Sequence, residues 1–474
     1  HLIDLVFLMF SVSTTSKLLF LGLLIAMNAS VIAEPLMLAE SPVSDRPRIS
    51  SESNNEEREN FSIHSQATFI FQQKNAFNSP YSGQNSLLSK VDGDTSNSYT
   101  FSGTLFLGTR LWEGAELYYN PEVFQGLPFS GQLVGLGGFQ NGELQKGAFT
   151  SPVFYSARAF VRQTIGLGGD QEHIESSANQ LAGKVDKNRL VLSYGKFSSL
   201  DFFDQNTYSH DPRTQFQNFA LFSMAAYSYA ADPKGFTFGL VGEWYQDDWI
   251  LRAARLALPK VPNTEQMDYS LGNNFTNQIE LTHQHSLFGQ TGAVRALYYQ
   301  QRAYMASYQD AINLGQQSST APDILSVRQS GQETWGYGFN VEQAINKDIG
   351  IFARWSWNPG NVETQTLDVS RSLSFGVSVK GTSWNRPMDT FGAGYATNGI
   401  SSTQINYLKQ GGYTAFIGDG NINYKNEEVI ELYYSAKIYK NLYMSADFQR
   451  IANPAYNSDR GPINFFGVRA HIEM

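Results

Sequence analysis

SYTFSGTLFLGTRL, residues 98–111, decides the fold. Tyr99, Phe101, Leu105, Leu107 and Leu111 fall on one parity, and Ser98, Thr100, Ser102, Thr104 and Arg110 on the other. Successive side chains of a strand point to opposite faces, so this stretch is a strand with one apolar and one polar face. A barrel in a membrane needs that pattern, with lipid against every second residue and water against the rest. Soluble sandwiches also alternate, so the weight lies in repetition. Residues 464–474 repeat it, with Phe466, Val468, Ala470 and Ile472 against Arg469, His471 and Glu473.

Working outward, the alternation predicts sixteen strands, near 61–73, 97–111, 115–123, 153–165, 189–198, 235–246, 249–258 and 276–287, then 292–306, 333–344, 349–358, 371–380, 389–398, 427–438, 442–451 and 462–474. Outer-membrane barrels have short periplasmic turns, longer external loops and an even number of strands. The connections obey this. Short ones such as 112–114, 247–248 and 439–441 alternate with long ones such as 124–152, 199–234, 307–332 and 399–426. The connection 166–188 is discordant, being long on the periplasmic side, and its stretch 176–183 reads as a short helix. Residues 220–230 could pass for a strand, but that would make the count odd, so 199–234 is read as one loop. The expected class is all-β, a transmembrane antiparallel barrel. A soluble propeller would repeat every 40 to 50 residues or so, and no such repeat is present.

Composition agrees. Of 474 residues, 14% are aromatic and only 16% charged, against a usual charged share of roughly 25%. With no Cys, disulfides, thiol catalysis and cysteine-based zinc sites are excluded. A net charge of -9 argues against a nucleic-acid partner. Lys17 precedes the apolar run 18–26, and Val31-Ile32-Ala33 fits a small-x-Ala cleavage site. Residues 1–33 therefore read as a signal peptide, 34–60 as a flexible periplasmic lead-in and 61–474 as the barrel. The expected address is the outer membrane of a Gram-negative bacterium, with its lipid as surround.

Parity also assigns the lumen. Arg110, Arg158, Arg162, Arg252, Arg295, Arg354 and Arg469 face inward with Glu116, Glu122, Glu243, Glu280, Glu342, Glu431 and Asp447, among Phe160, Tyr245, Tyr299, Phe352, Tyr433 and Tyr443. A strongly anion-selective pore wants a ring of one sign. This near-balanced set of planar donors, acceptors and aromatic faces suits neutral polyols and sugars.

The loop 199–234 is rich in aromatics, which would be costly to leave in water. Folding it into the lumen buries Phe202, Phe203 and Phe219 and places Asp201, Asp204, His210, Asp211 and Arg213 at a constriction. The other positions for it are an external lid or a latch to a neighbouring subunit. His210 beside Asp211 invites a catalytic or metal reading, but adjacent residues rarely converge on one ion. No catalytic residue, metal or cofactor is assigned, and the chain is not expected to be an enzyme.

Several motifs together resemble the OprB-like carbohydrate-selective porins over roughly residues 60 to 474. They are FSIHSQAT at 61–68, GTRLWEGAELY at 108–118, NQLAG at 179–183, DFFD at 201–204 leading to HDPR at 210–213, and NPAYN at 453–457 followed by RGP at 460–462. The resemblance implies a sixteen-stranded barrel passing monosaccharides such as glucose by facilitated diffusion, with arginines and a folded-in loop at the constriction. Arg110, Arg158 and Arg162 match the inward arginines. The alternatives are a general small-solute porin and a receptor or structural barrel that conducts little. The expected partners are small sugars, and a homotrimer is an assembly the sequence allows.

Overall fold

The computed structural model describes residues 58–147 and 149–474. The expected leader and nearly all of the lead-in lie outside them. Among the described residues, sixteen antiparallel strands close into one barrel. In chain order the wall begins with β1 (Phe61–Lys74), β2 (Asn97–Trp112), β3 (Ala115–Leu127) and β4 (Phe149–Gly166). A small hairpin, β5 (Gln171–Ile174) and β6 (Gly183–Asp186), forms a sheet of its own. The wall resumes with β7 (Arg189–Phe197), β8 (Thr237–Gln246), β9 (Trp249–Ala257), β10 (Phe275–Leu287), β11 (Gln290–Met305) and β12 (Gln329–Ala344). It ends with β13 (Ile349–Trp357), β14 (Arg371–Gly381), β15 (Arg386–Gly399), β16 (Glu427–Tyr439), β17 (Leu442–Ala452) and β18 (Ile463–Glu473).

Each wall strand pairs with its neighbour, and β18 returns to β1 with Gln66 opposite Glu473. Ser65 and Met474 exchange both backbone hydrogen bonds across this seam, at 2.7 and 2.9 Å. Closure leaves no strand edge to satisfy in lipid. The period of two does the sorting. Leu105, Leu192, Leu240, Leu281, Phe339, Leu373 and Ile430 are exposed on the outer face, as lipid-facing residues must be. The inward positions on β2, Ser98, Thr100, Ser102 and Thr104, are buried. All seven inward arginines read from the sequence lie on the inner parity of their strands.

One expectation is corrected. The connection between β4 and β7 holds the β5–β6 hairpin, not a short helix. Ser177 and Gln180 bond to each other in both directions at 3.0 Å, and Asn179 has φ 57. A left-handed residue inside a tight two-way turn cannot continue a right-handed helix. Residues 220–230 form no strand. They hold one helical turn, α1 (Phe219–Phe222), and otherwise run irregularly.

On the extracellular side α2 (Tyr308–Ser318) and α3 (Ser402–Lys409) pack around Tyr308, Ile312, Tyr407 and Leu408. Asp368 sits beneath them and accepts hydrogen bonds from Thr414 Oγ1 at 2.6 Å and Gln404 Nε2 at 3.2 Å. Burial raises its pKa from 3.8 to about 6, and those hydrogen bonds only partly oppose the rise. A carboxyl held more protonated in the folded state contributes stability that is fully present below pH 3.8 and is lost as pH rises through about 6. The loop cap is therefore expected to resist proteolysis better at pH 5 than at pH 7.5. Asp368→Asn should reduce the difference, leaving the part owed to the buried carboxyls of Glu363 and Asp419, also held above their ordinary values. Timed protease digestion at the two pH values checks this.

Candidate functional site

The position of the long loop follows from strand length. β7 pairs with β4 only from Ala159 to Gly166, whereas β4 continues outward to Phe149. The chain therefore leaves the wall at Phe197 well short of β4's outer end. It returns opposite that point, with Phe197 paired to Thr237. The connection between them turns into the lumen. Phe202, Phe203, Phe216, Phe219 and Phe222 are buried there against wall residues that include Tyr299, Phe352 and Tyr433.

Polar side chains of the wall hold this loop by its backbone. Glu280 accepts from Asp204 N at 2.9 Å and Glu342 from Thr207 N at 2.5 Å. Glu431 accepts from Gln217 N at 2.5 Å and Asn218 N at 2.9 Å. Arg354 donates to the carbonyls of Leu221 at 2.9 Å and Ser209 at 2.5 Å. Arg469 donates to those of Pro212, Thr214 and Gln215 at 2.9, 2.9 and 2.7 Å. These partners come from β10, β12, β13, β16 and β18, so the loop lies across much of the lumen. Approach is close enough that wall glycines are required. A Cβ on Gly350 would meet the Tyr208 ring at 2.0 Å. A second connection, 128–147, packs over the loop, with Gly142 N on Gln217 O and Phe219 N on Phe139 O, both at 2.9 Å.

The eight expected pore residues fall into three groups. Asp204 is the internal anchor. It is fully buried and accepts from Arg354 Nε at 2.8 Å, Asn340 Nδ2 at 2.6 Å and Met224 N at 2.6 Å. Arg213, Asp211 and His210 form the loop's far side. Arg213 reaches Glu122 at 3.0 Å and Glu143 at 3.2 Å. Burial opposes its charge, but Glu143 and Glu122 hold its pKa above the ordinary value. Asp211 accepts from Arg213 N at 2.9 Å. Burial, and then the nearby Arg354, lowers the His210 pKa, which keeps the imidazole neutral at pH 7.

The remaining four lie along β2, β4 and the start of the loop. Asp201 receives both Nε and Nη2 of Arg158, at 2.7 and 2.6 Å. Arg162 donates Nη1 to Asn179 O at 2.9 Å and lies 3.9 Å from Glu116. Its guanidinium sits over the Tyr118 and Phe160 rings, at 5.0 and 5.4 Å. Arg110 commits all three of its nitrogens, to Glu59 O, Glu116 and Ala182 O at 2.6, 2.7 and 2.9 Å. It therefore acts as a clamp. Arg158 and Arg162 keep side-chain exposures of 16% and 22%. Among the described residues, Nη1 of Arg158 and Nε and Nη2 of Arg162 have no hydrogen-bond partner.

Sequence reasoning placed Arg354, Arg469, Glu280, Glu342 and Glu431 inside but did not join them to the loop. Alternation reports the face of a residue and is silent on its partner. Asn120 and Asn340 were missed, because an isolated amide carries no pattern, and Asn179 entered only as part of the NQLAG motif, with no partner assigned.

Comparison with known proteins agrees with this architecture. The structure of OprB from Pseudomonas putida at high pH superposes with a TM-score of 0.64 and 13% identity, covering 88% of this chain and 94% of that one. It shares the fold. Porin AaxA of Chlamydia caviae is 22% identical over 319 residues, 65% of this chain and 60% of that protein. Porin AaxA of Chlamydia abortus is 21% identical over 315 residues. The chain thus spans about 60% of the length of these curated relatives. Family and fold are those of an outer-membrane channel. Residues 98–474 match the carbohydrate-selective porins of the OprB family, and the chain belongs to that family.

Proposed function

We propose that this porin gives carbohydrates, monosaccharides such as glucose among them, a passive route across the outer membrane into the periplasm. Arg158 and Arg162 are the residues that meet the sugar. One observation carries the reading. The loop is locked across the lumen, yet two arginines on one face of β4 keep unpaired guanidinium N–H groups and partial exposure. Guanidinium donors are fixed in direction and stay charged at neutral pH, so they can hold sugar hydroxyls while Asp201 accepts from them. Asp204, His210, Asp211 and Arg213 shape the passage by fixing the loop, and Arg110 by fixing the floor. Export through a leader ending at Ala33 belongs to the same reading.

Conduction requires release as well as capture, so binding is weak, at a millimolar dissociation constant or roughly 4 kcal/mol. In planar bilayers, added glucose should reduce the ion current with millimolar half-block. Current that glucose, other hexoses and disaccharides all leave unchanged would mark a general small-solute porin. Absence of current would mark a closed receptor or structural barrel.

A further inference from the structure

We propose that the outer face of β9–β12, at its extracellular rim, binds a phosphorylated glycolipid of the outer leaflet, and that Arg255 and Arg302 are the residues that meet its phosphates. The inference rests on the barrel's place in the outer membrane and is independent of what the pore conducts.

Parity separates these two arginines from the pore. Arg252 and Arg295 stand on the same strands, β9 and β11, and are buried in the lumen. Arg255 and Arg302 lie an odd number of positions further along, so they point the other way, and both are exposed. Their height follows from the register. Arg255 pairs with Asn277 and Arg302 with Phe275, at the end of β10 that follows the long external connection 258–274. Leu240, Ile279, Leu281 and Val294 lie lower on the same face, exposed to the acyl chains. Between the two levels Tyr298 faces Trp335 at 6.4 Å, and Trp335 stacks on Tyr337 at 6.1 Å. Down the wall the order is therefore charge, aromatic face, aliphatic chain. Aromatic rings settle at the headgroup level of a membrane, where their flat faces can take the C–H face of a sugar ring.

Neither guanidinium is spent on a carboxylate. Arg255 is held in place by Leu271 O, which accepts from Nε and Nη2 at 3.0 and 2.6 Å, and by Asn277 Oδ1, which accepts from Nη1 at 3.2 Å. It lies over the Phe275 ring at 3.7 Å. Glu333 stands opposite Arg302 in the register, yet among the described residues the two form no ion pair. Arg302 Nη2 lies instead beside Gly331, 3.4 Å from where a Cβ would stand. β10 runs between the two arginines, so they flank it about 10 Å apart, two strand spacings. The planar fork of a guanidinium matches the oxygens of a phosphate. Two such forks, set apart above an aromatic floor, fit a headgroup that carries separated phosphates on a sugar frame. A phospholipid brings one phosphate and no ring. The rest of the rim bears the same sign, with Lys196, Arg371 and Arg450 on outward positions of a chain whose net charge is -9. Arg371 on β14 and Arg450 on β17 stand three strands apart, bonded to Tyr424 and Asn464 at 2.7 and 3.2 Å, and do not flank a common strand.

The test is native mass spectrometry of the folded barrel in detergent, titrated with lipid A. Arg255→Gln combined with Arg302→Gln is expected to weaken lipid A binding at least about tenfold, the loss of two charge-assisted donor sets. Both side chains are exposed, so the heat-dependent gel shift of the folded barrel should be unchanged. Arg371→Gln combined with Arg450→Gln removes as much charge from the rim and should leave the binding as it was. Lipid A stripped of its phosphates should bind the wild type as weakly as intact lipid A binds the first double variant, and phosphatidylglycerol should bind more weakly than intact lipid A. Equal affinity for intact and dephosphorylated lipid A overturns the proposal. So does an equal loss in the two double variants, which marks diffuse rim charge, and so does phosphatidylglycerol binding as tightly as lipid A, which marks an ordinary phospholipid surface. Barrels that associate without lipid, and cease to in Arg255→Gln with Arg302→Gln, would assign the face to a second copy of the chain instead.

Discussion

Asp204→Ala should open the pore while the barrel stays folded. The variant is expected to conduct markedly more current and to lose sugar block. Asp204 is the buried counter-charge of Arg354 and also accepts from Asn340 and Met224 N. Removing one member of a buried pair leaves the other charge uncompensated, at a cost of about 3–5 kcal/mol. The loop can escape that cost by leaving the lumen, because water would then solvate Arg354. The wall has no such freedom, since its strands are joined by continuous backbone ladders around the circle. Asp204→Asn, which keeps a hydrogen-bond acceptor without the charge, should lie between. Bilayer conductance reads the opening, and the heat-dependent gel shift of folded barrels reads the wall. Wild-type conductance in Asp204→Ala would show that the loop is held without this anchor.

Replacing Arg158 and Arg162 together with Ala should weaken glucose block by at least about tenfold, the loss of two charge-assisted donor sets. Stability should hardly change. The Arg158–Asp201 pair is partly exposed, at 16% and 27%, and a pair in that setting is worth about 1 kcal/mol or less. Glu116 keeps Arg110 at 2.7 Å, so no carboxylate is stranded in a dry site. Titration of the ion current with glucose checks the affinity. Unchanged half-block in the double variant would place the sugar elsewhere in the lumen.

Much of the fold was legible because lipid imposes one rule on every strand. β10 was read as 276–287 and runs Phe275–Leu287; β13 was read as 349–358 and runs Ile349–Trp357. Strands that outrun the membrane were read short. β4 was expected from 153 and starts at Phe149, and β12 was expected from 333 and starts at Gln329, because above the bilayer nothing enforces alternation. The loop's course was legible in outline, since its phenylalanines needed cover. Its grip on the wall was not. Arg469 and Glu431 bind carbonyls and N–H groups of residues 212–218, and backbone atoms leave no mark on a sequence. The β5–β6 hairpin was misread because Ser176 to Gly183 has no apolar period to set a strand against a helix.

The grip of Arg469 has a consequence for how the molecule is made. This arginine stands on β18, the last of the described wall strands in chain order, and it binds residues more than 250 positions earlier in the chain. The same strand forms the seam with β1. A barrel that sealed with the loop outside would leave water in place of the three carbonyl partners of Arg469. Loop capture is completed only once β18 is in place, a step of very high contact order in which slow search precedes reward. The plug is thus secured late, by a strand made long after the loop itself.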